Sequence, residues 1–314
     1  MGTLRHQKRP AREADDSSSQ PGLVLAHYGQ ISLVEAESGD PIRCATRRNL
    51  PRTVCGDRVM WQPGSNAREG VITRVLERKT TLVRPDRNNR GRPVAANLDQ
   101  VVVVLASKPS FEPGMLDRYL VAAELMGATP VIVVNKLDLL DAESRSRLEQ
   151  RLAIYRQIGY ALLFTSTRTT DGLKDLHRQL RPHTSILVGQ SGVGKSSLVG
   201  ALVPDLEVRV GALSQVTGLG RHTTTAAQLY HLPDGGNLID SPGVRDFSLC
   251  PVPVEELARG FVEFRPYLGH CRFHNCRHLK EPGCAVQAAA RDGAISQQRL
   301  ENYQALVETM SRHE

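Results

Sequence analysis

The sequence predicts an α/β protein: a mostly parallel sheet covered by helices, preceded by a small β-barrel and followed by a helical, cysteine-rich unit. Three observations carry that reading. Short strand-like runs separated by turn residues fill the stretch from 22 to 84. Continuous apolar runs then alternate with helical patterns, as expected of strands buried on both faces. Beyond residue 250 the texture changes to helices and a knot of cysteine and histidine.

In chain order, residues 1–20 form a basic, charge-rich tail with too few apolar side chains to offset the entropy of ordering, so disorder is expected. Within 21–84, strands are expected at 23–25, 31–34, 42–44, 57–61 and 71–76. Ser38-Gly39-Asp40-Pro41 and Gln62-Pro63-Gly64 punctuate them. About five strands in some 60 residues suit a small closed barrel, with the OB-fold expected and an SH3-like barrel giving nearly the same pattern. Residues 85–97, basic and without periodicity, read as a linker. The α/β pattern occupies 98–250, with strands at 101–105, 131–134, 161–165 and 185–188 and helices at 115–126, 141–158 and 173–180. In 251–314 a final helix, capped by Ser296, carries Leu300, Tyr303, Leu306, Val307 and Met310 at helical spacing.

A formal net charge of +7 favours a polyanionic partner, although a basic soluble enzyme has the same balance. The longest apolar run, residues 101–106, falls far short of the roughly 20 residues a spanning helix needs. The N-terminus carries no apolar signal region, and a cytoplasmic location without membrane attachment is expected. The six cysteines are then reduced thiols or metal ligands, and Cys44, Cys55 and Cys250 read as small buried hydrophobes.

Gly189-Gln190-Ser191-Gly192-Val193-Gly194-Lys195-Ser196 fits G-x-x-x-x-G-K-[ST] between a predicted strand and a predicted helix, the context a phosphate-binding loop requires. Its glycines let backbone N–H groups face phosphate oxygens, and Ser197 continues into the helix. Lys195 is expected to reach the β- and γ-phosphates and Ser196 to ligate Mg²⁺. Asn135-Lys136-Leu137-Asp138 follows a buried strand and selects the base. A carboxylate there accepts from guanine N1–H and its exocyclic amine; adenine would leave it unpaired.

Asp240-Ser241-Pro242-Gly243 resembles the segment that senses a γ-phosphate, with Asp240 on Mg²⁺ through water and the Gly243 N–H on the phosphate. Thr165-Ser166 ends a strand and offers N–H groups to guanine O6. Residues 217–225, glycine-rich and ending in Thr223, Thr224 and Thr225, read as a first switch, and any of the three threonines could ligate the metal. The order of these motifs is permuted: base-selecting segments first, then the phosphate loop, threonines and Asp240. Their cyclic order is intact, so a circularly permuted P-loop GTPase domain follows. Val244 stands where Ras-like proteins place a water-orienting glutamine, so His222 is the candidate catalytic group.

Cys271-x4-Cys276-x-His278-x5-Cys284 offers three thiolates and an imidazole, a set suited to one closed tetrahedral structural Zn²⁺ per chain. His270 and His274 remain competing ligands.

Together these residues resemble the RsgA family (ribosome small subunit-dependent GTPase A). The resemblance covers roughly residues 22–310 and rests on the permuted order, GQSGVGKSS, GLGRHTTT, DSPGVRDF and the cysteine knot. It implies an N-terminal OB-fold, a central permuted GTPase domain and a C-terminal zinc domain. It also implies a bacterial cytoplasmic GTPase acting in late maturation of the 30S subunit and stimulated by it. His222 matches the family's proposed catalytic histidine, and Cys271, Cys276, His278 and Cys284 its zinc ligands. The basic charge fits rRNA binding through phosphate contacts and shape. A monomer is the default expectation.

Overall fold

A computed structural model describes residues 18–66, 68–85, 91–204, 206, 226–241 and 252–311. The five expected N-terminal strands are all present: β1 (Gln20–Tyr28), β2 (Ile31–Ala36), β3 (Pro41–Thr46), β4 (Arg58–Pro63) and β5 (Glu69–Val75). They pair in the order β1-β2-β3-β5-β4, and β4 returns to β1, closing an OB-like barrel in which only the β3–β5 pair is parallel. Alternation puts Val24, Val34, Ile42, Cys44, Val59, Trp61 and Ile72 inside the barrel, while Leu25 and Leu33, on the opposite face, are buried in the core shared with the central sheet. Cys44 is one of the expected small buried hydrophobes. Asp57, fully buried, is held by a two-pronged bond from Arg78 (2.7 and 2.8 Å) and accepts from the Val54 N–H.

The stretch expected as a linker is partly a strand. β6 (Thr81–Pro85) pairs antiparallel with β7 (Gly91–Ala96) in a separate two-stranded sheet. Pro93 lies beside a register shift, where its missing N–H does least harm, and that proline hides the strand from pattern reading. The hairpin is stitched to the barrel: Ala96 N–H donates to Cys55 O, and Asn97 donates from its amide to Gly56 O.

The central sheet runs β10-β9-β8-β11-β13-β12. Its strands are β8 (Gln100–Ala106), β9 (Thr129–Asn135), β10 (Ala161–Phe164), β11 (Thr184–Val188), β12 (Gln228–His231) and β13 (Asn237–Asp240). All neighbours are parallel except β12 and β13, and β8 is buried along its whole length. The helices α1 (Pro113–Met126), α2 (Ala142–Ile158), α3 (Leu173–Leu180) and α4 (Lys195–Leu202) follow the expected placements. Asp141 caps α2 by accepting from Ser144 N–H, and Gly127 and Gly159 end α1 and α2 in the left-handed conformation. Two apolar layers, one containing Leu116, Leu120 and Ile132 and the other Leu198, Leu202 and Tyr230, cover the two faces. β12 had no sequence expectation; it extends the sheet until it meets β1 of the barrel at Ala26 and Gln228. No helix among the described residues is long and apolar enough to cross a membrane.

The C-terminal unit comprises α5 (Val254–Gly260), a 3₁₀ turn (Val262–Tyr267), α6 (Ala285–Arg291) and α7 (Gln297–Ser311). Phe261 and Phe264 stack 5.0 Å apart, with Tyr303 edge-on to both. Leu300, Leu306 and Val307 join that core as their spacing implies. Arg299, one helical turn from the capping end, has a role its sequence does not announce. It is fully buried, donating to Asp117 of α1 (2.5 Å) and to Glu263 (2.6 and 3.0 Å), while Asn302 and Tyr155 donate to the same aspartate. Burial opposes the Arg299 charge, but the two carboxylates more than offset it and raise its pKa. The unit is thereby locked to α1 and α2 of the central domain.

Candidate nucleotide site and metal centre

Four motif-bearing segments lie at the C-terminal ends of sheet strands, where open α/β sheets bind ligands. β11 ends at Val188 and enters the phosphate loop; β9 ends at Asn135; β10 leads into Thr165-Ser166; and β13 ends at Asp240. The permuted chain therefore brings Asn135, Lys136, Asp138, Ser166, residues 189–197 and Asp240 to one edge, with β8 between β9 and β11.

The loop's shape depends on its glycines. Gly189, Gly192 and Gly194 have φ of 138°, 81° and 96°, and a Cβ on Gly189 would strike Val104 O while one on Gly194 would strike the Asn135 amide. Gln190, Ser191 and Val193 complete the turn, with Val193 buried and Ser191 exposed. Lys195, at the start of α4, donates to Gly189 O and Gln190 O (2.5 and 2.7 Å), which places its ammonium within the curve of the loop. Ser196 and Ser197 follow on the exposed first turn of the helix.

The base-selecting segment is bonded to this loop. Asn135 donates to Val193 O (3.1 Å) and accepts from Thr165 Oγ1 (3.3 Å). Lys136, in the left-handed region at φ 65°, donates to Gly192 O and to Lys108 O. Asn135 and Lys136 thus hold one motif against the other. The Asp138 side chain is only 14% exposed, and Ser166 Oγ donates to its Oδ1 at 2.6 Å.

The Thr165-Ser166 backbone, expected to offer N–H groups to guanine O6, is bonded within the fold. The Thr165 N–H donates to Val134 O and the Ser166 N–H to Asp171 O, so both are committed internally. Ser166 instead acts through its hydroxyl, which also accepts from the Arg168 and Thr169 N–H groups and so fixes the Asp138 carboxylate. Sequence spacing alone gives no means of seeing which N–H groups a strand end consumes.

Asp240 pairs with Gln228 across β12–β13. Gly243, His222, Thr223, Thr224, Thr225, Val244 and Cys250 lie outside the described residues.

In the C-terminal unit the four expected ligands converge. The donor atoms of Cys271, Cys276, His278 and Cys284 all lie within 4.8 Å of one another. Cys271 Sγ is 3.9 Å from Cys284 Sγ, and His278 Nδ1 is 3.6 and 3.3 Å from those two sulfurs. Ligands about 2.3 Å (sulfur) and 2.0 Å (nitrogen) from a tetrahedral ion are separated by such distances, so the donor set fits zinc. Burial pushes the Cys276 thiol up to about 12 and lowers the His278 pKa. A cation would draw off the thiol protons and use the imidazole in its neutral form. His270 and His274 are not part of the cluster.

Residues 75–250 match the family model described as RsgA GTPase. The small ribosomal subunit biogenesis GTPase RsgA of Yersinia enterocolitica is 46% identical over 319 residues, covering 98% of this chain and 91% of its own. The protein of the same name from Ectopseudomonas mendocina is 48% identical over 300 residues, with 94% and 87% covered. Among solved structures, YjeQ from Thermotoga maritima superposes with a TM-score of 0.76 at 34% identity, covering 94% of this chain and 98% of that one. YloQ, a circularly permuted GTPase, gives 0.76 at 30%, with 97% and 99% covered.

Proposed function

The chain belongs to the RsgA family of circularly permuted GTPases, and from that premise we propose that it hydrolyses GTP on the small (30S) ribosomal subunit and couples turnover to the subunit's late maturation. The observation that carries the chemistry is the bonded pair of motifs at one sheet edge, Asn135 on Val193 O and Ser166 on Asp138. The names of the relatives carry the choice of partner.

Asp138 accepts from the guanine edge while Asn135 and Lys136 hold its segment against the loop. The N–H groups of residues 189–197 surround the phosphates, and Lys195 swings from the loop carbonyls to the β- and γ-oxygens. Ser196 and Asp240 would hold Mg²⁺, which would supply charge neutralisation on the phosphates. Gly243 N–H meets the γ-phosphate. His222 positions the water that attacks in line, since Val244 has no polar atom to do so. Cys271, Cys276, His278 and Cys284 hold a structural Zn²⁺. The protein works in the cytoplasm, and its excess positive charge meets rRNA phosphates.

Co-sedimentation with purified 30S and 50S subunits tests the partner. The expected result is retention on 30S alone, stronger with a non-hydrolysable GTP analogue than with GDP and falling steeply with salt. Equal binding to both subunits, or to neither, would contradict it.

A further inference from the structure

We propose that Glu35 of the barrel and His231 of β12 form a latch through which the barrel is coupled to the nucleotide site; this regulation of the site rests on the function proposed above. The hairpin of β12 and β13 joins the candidate first switch, residues 217–225, to Asp240. The two segments are therefore connected in the chain through these eight strand residues and the turn between them.

The same hairpin is where the barrel meets the central sheet. Backbone pairing there is short, a single register pair between Ala26 and Gln228. Leu25 and Leu33 of the barrel share a buried apolar cluster with Leu229 and Ile239, and a polar attachment is made by side chains at the other end of β12. His231 Nε2 lies within hydrogen-bond distance of both Glu35 oxygens (2.8 and 3.0 Å), and its Nδ1 lies 2.7 Å from Asn237 Oδ1. The Asn237 amide is bonded in turn to Thr184, its Nδ2 donating to Thr184 Oγ1 at 3.1 Å. A continuous relay therefore runs from β2 of the barrel through β12 and β13 to β11, the strand that enters the phosphate loop.

Two features suit this relay to coupling rather than to stability. Glu35 and His231 are 21% and 49% exposed, and an exposed pair of that kind contributes little to folding. β13 is only four residues long, with Asn237 at its first position and Asp240 at its last. A hold on Asn237 fixes the far end of the strand that presents Asp240, so a displacement at one end is felt at the other. Linkage makes this reciprocal: if nucleotide state biases how the barrel sits, a partner that engages the barrel biases the nucleotide site.

The test uses the full chain with Glu35→Ala, His231→Ala, the double variant and Glu35→Gln. Basal GTP turnover, GTP affinity and 30S-stimulated kcat are measured, together with hydrogen exchange over residues 20–36 in GDP and GTP-analogue states. Basal turnover and GTP affinity should match the parent. Stimulated kcat should fall at least about fivefold, the lower range of typical coupling between sites. The double variant should be no worse than either single one, and Glu35→Gln, which keeps an acceptor, should recover part of the loss. Stimulation and nucleotide-dependent exchange that both persist in His231→Ala would overturn the latch and leave the 30S function standing. If the parent itself is not stimulated by 30S, that function fails and the exchange arm alone decides. A GDP-to-GTP change in barrel protection that His231→Ala abolishes supports the latch; no such change in the parent overturns it.

Discussion

Asp138→Asn is expected to weaken GTP binding by roughly 10²- to 10⁴-fold, the loss of two hydrogen bonds to a charged acceptor at about 1.5–3 kcal/mol each. The carboxylate stands at the sheet edge with Ser166 Oγ donating to Oδ1, so the acceptor is already oriented before a base arrives. An amide in the same place offers one acceptor and two donors. It should tolerate xanthosine triphosphate better than GTP, because xanthine carries a carbonyl where guanine carries the amine. Fluorescent-nucleotide titration with GTP, XTP and ATP checks this, with circular dichroism to confirm an intact fold. GTP affinity unchanged within about twofold would remove Asp138 from base selection.

Stripping the metal from the cysteine knot should have a larger effect, confined to the C-terminal unit. Structural zinc sites of this kind contribute about 10–16 kcal/mol of apparent binding energy, more than a unit as small as 252–311 holds in reserve. Cys276 and Cys284 are buried in the same core as Phe261, Phe264 and Tyr303, so loss of the cluster opens that core directly. Exposure to a strong chelator, or Cys276→Ser, is expected to abolish amide protection across 252–311 while strands β8, β9 and β11 stay protected. The release of close to one zinc per chain should accompany it. Full protection of the C-terminal unit after complete metal removal would show that the knot is held by packing alone.

What the sequence made legible followed from local chemistry. The phosphate loop is readable because its backbone needs glycine at left-handed positions, and the barrel strands because alternation marks one buried face. The metal knot is readable because four ligand side chains fall within fourteen residues (271–284). The parts that escaped depend on partners distant in the chain. Arg299 looks like one of several surface arginines near the knot, yet its carboxylate partner Asp117 lies in α1, on the central domain. β7 contains a proline at a bulge, so its composition resembles a linker. β12 is four residues long, and His231 reads as a loose polar side chain until Glu35 is brought beside it. The Ser166 hydroxyl's hold on Asp138 joins residues 28 apart, and only the folded strand ends reveal it.

The most direct test of the account is GTP hydrolysis by the purified protein alone, with 30S subunits, with 50S subunits and with free RNA. The predicted result is slow basal turnover, strong stimulation by 30S subunits only, and loss of that stimulation in His222→Ala with GTP affinity retained. Turnover that no ribosomal particle alters would contradict the central claim, and full stimulation of His222→Ala would remove the histidine from the attack on the γ-phosphate.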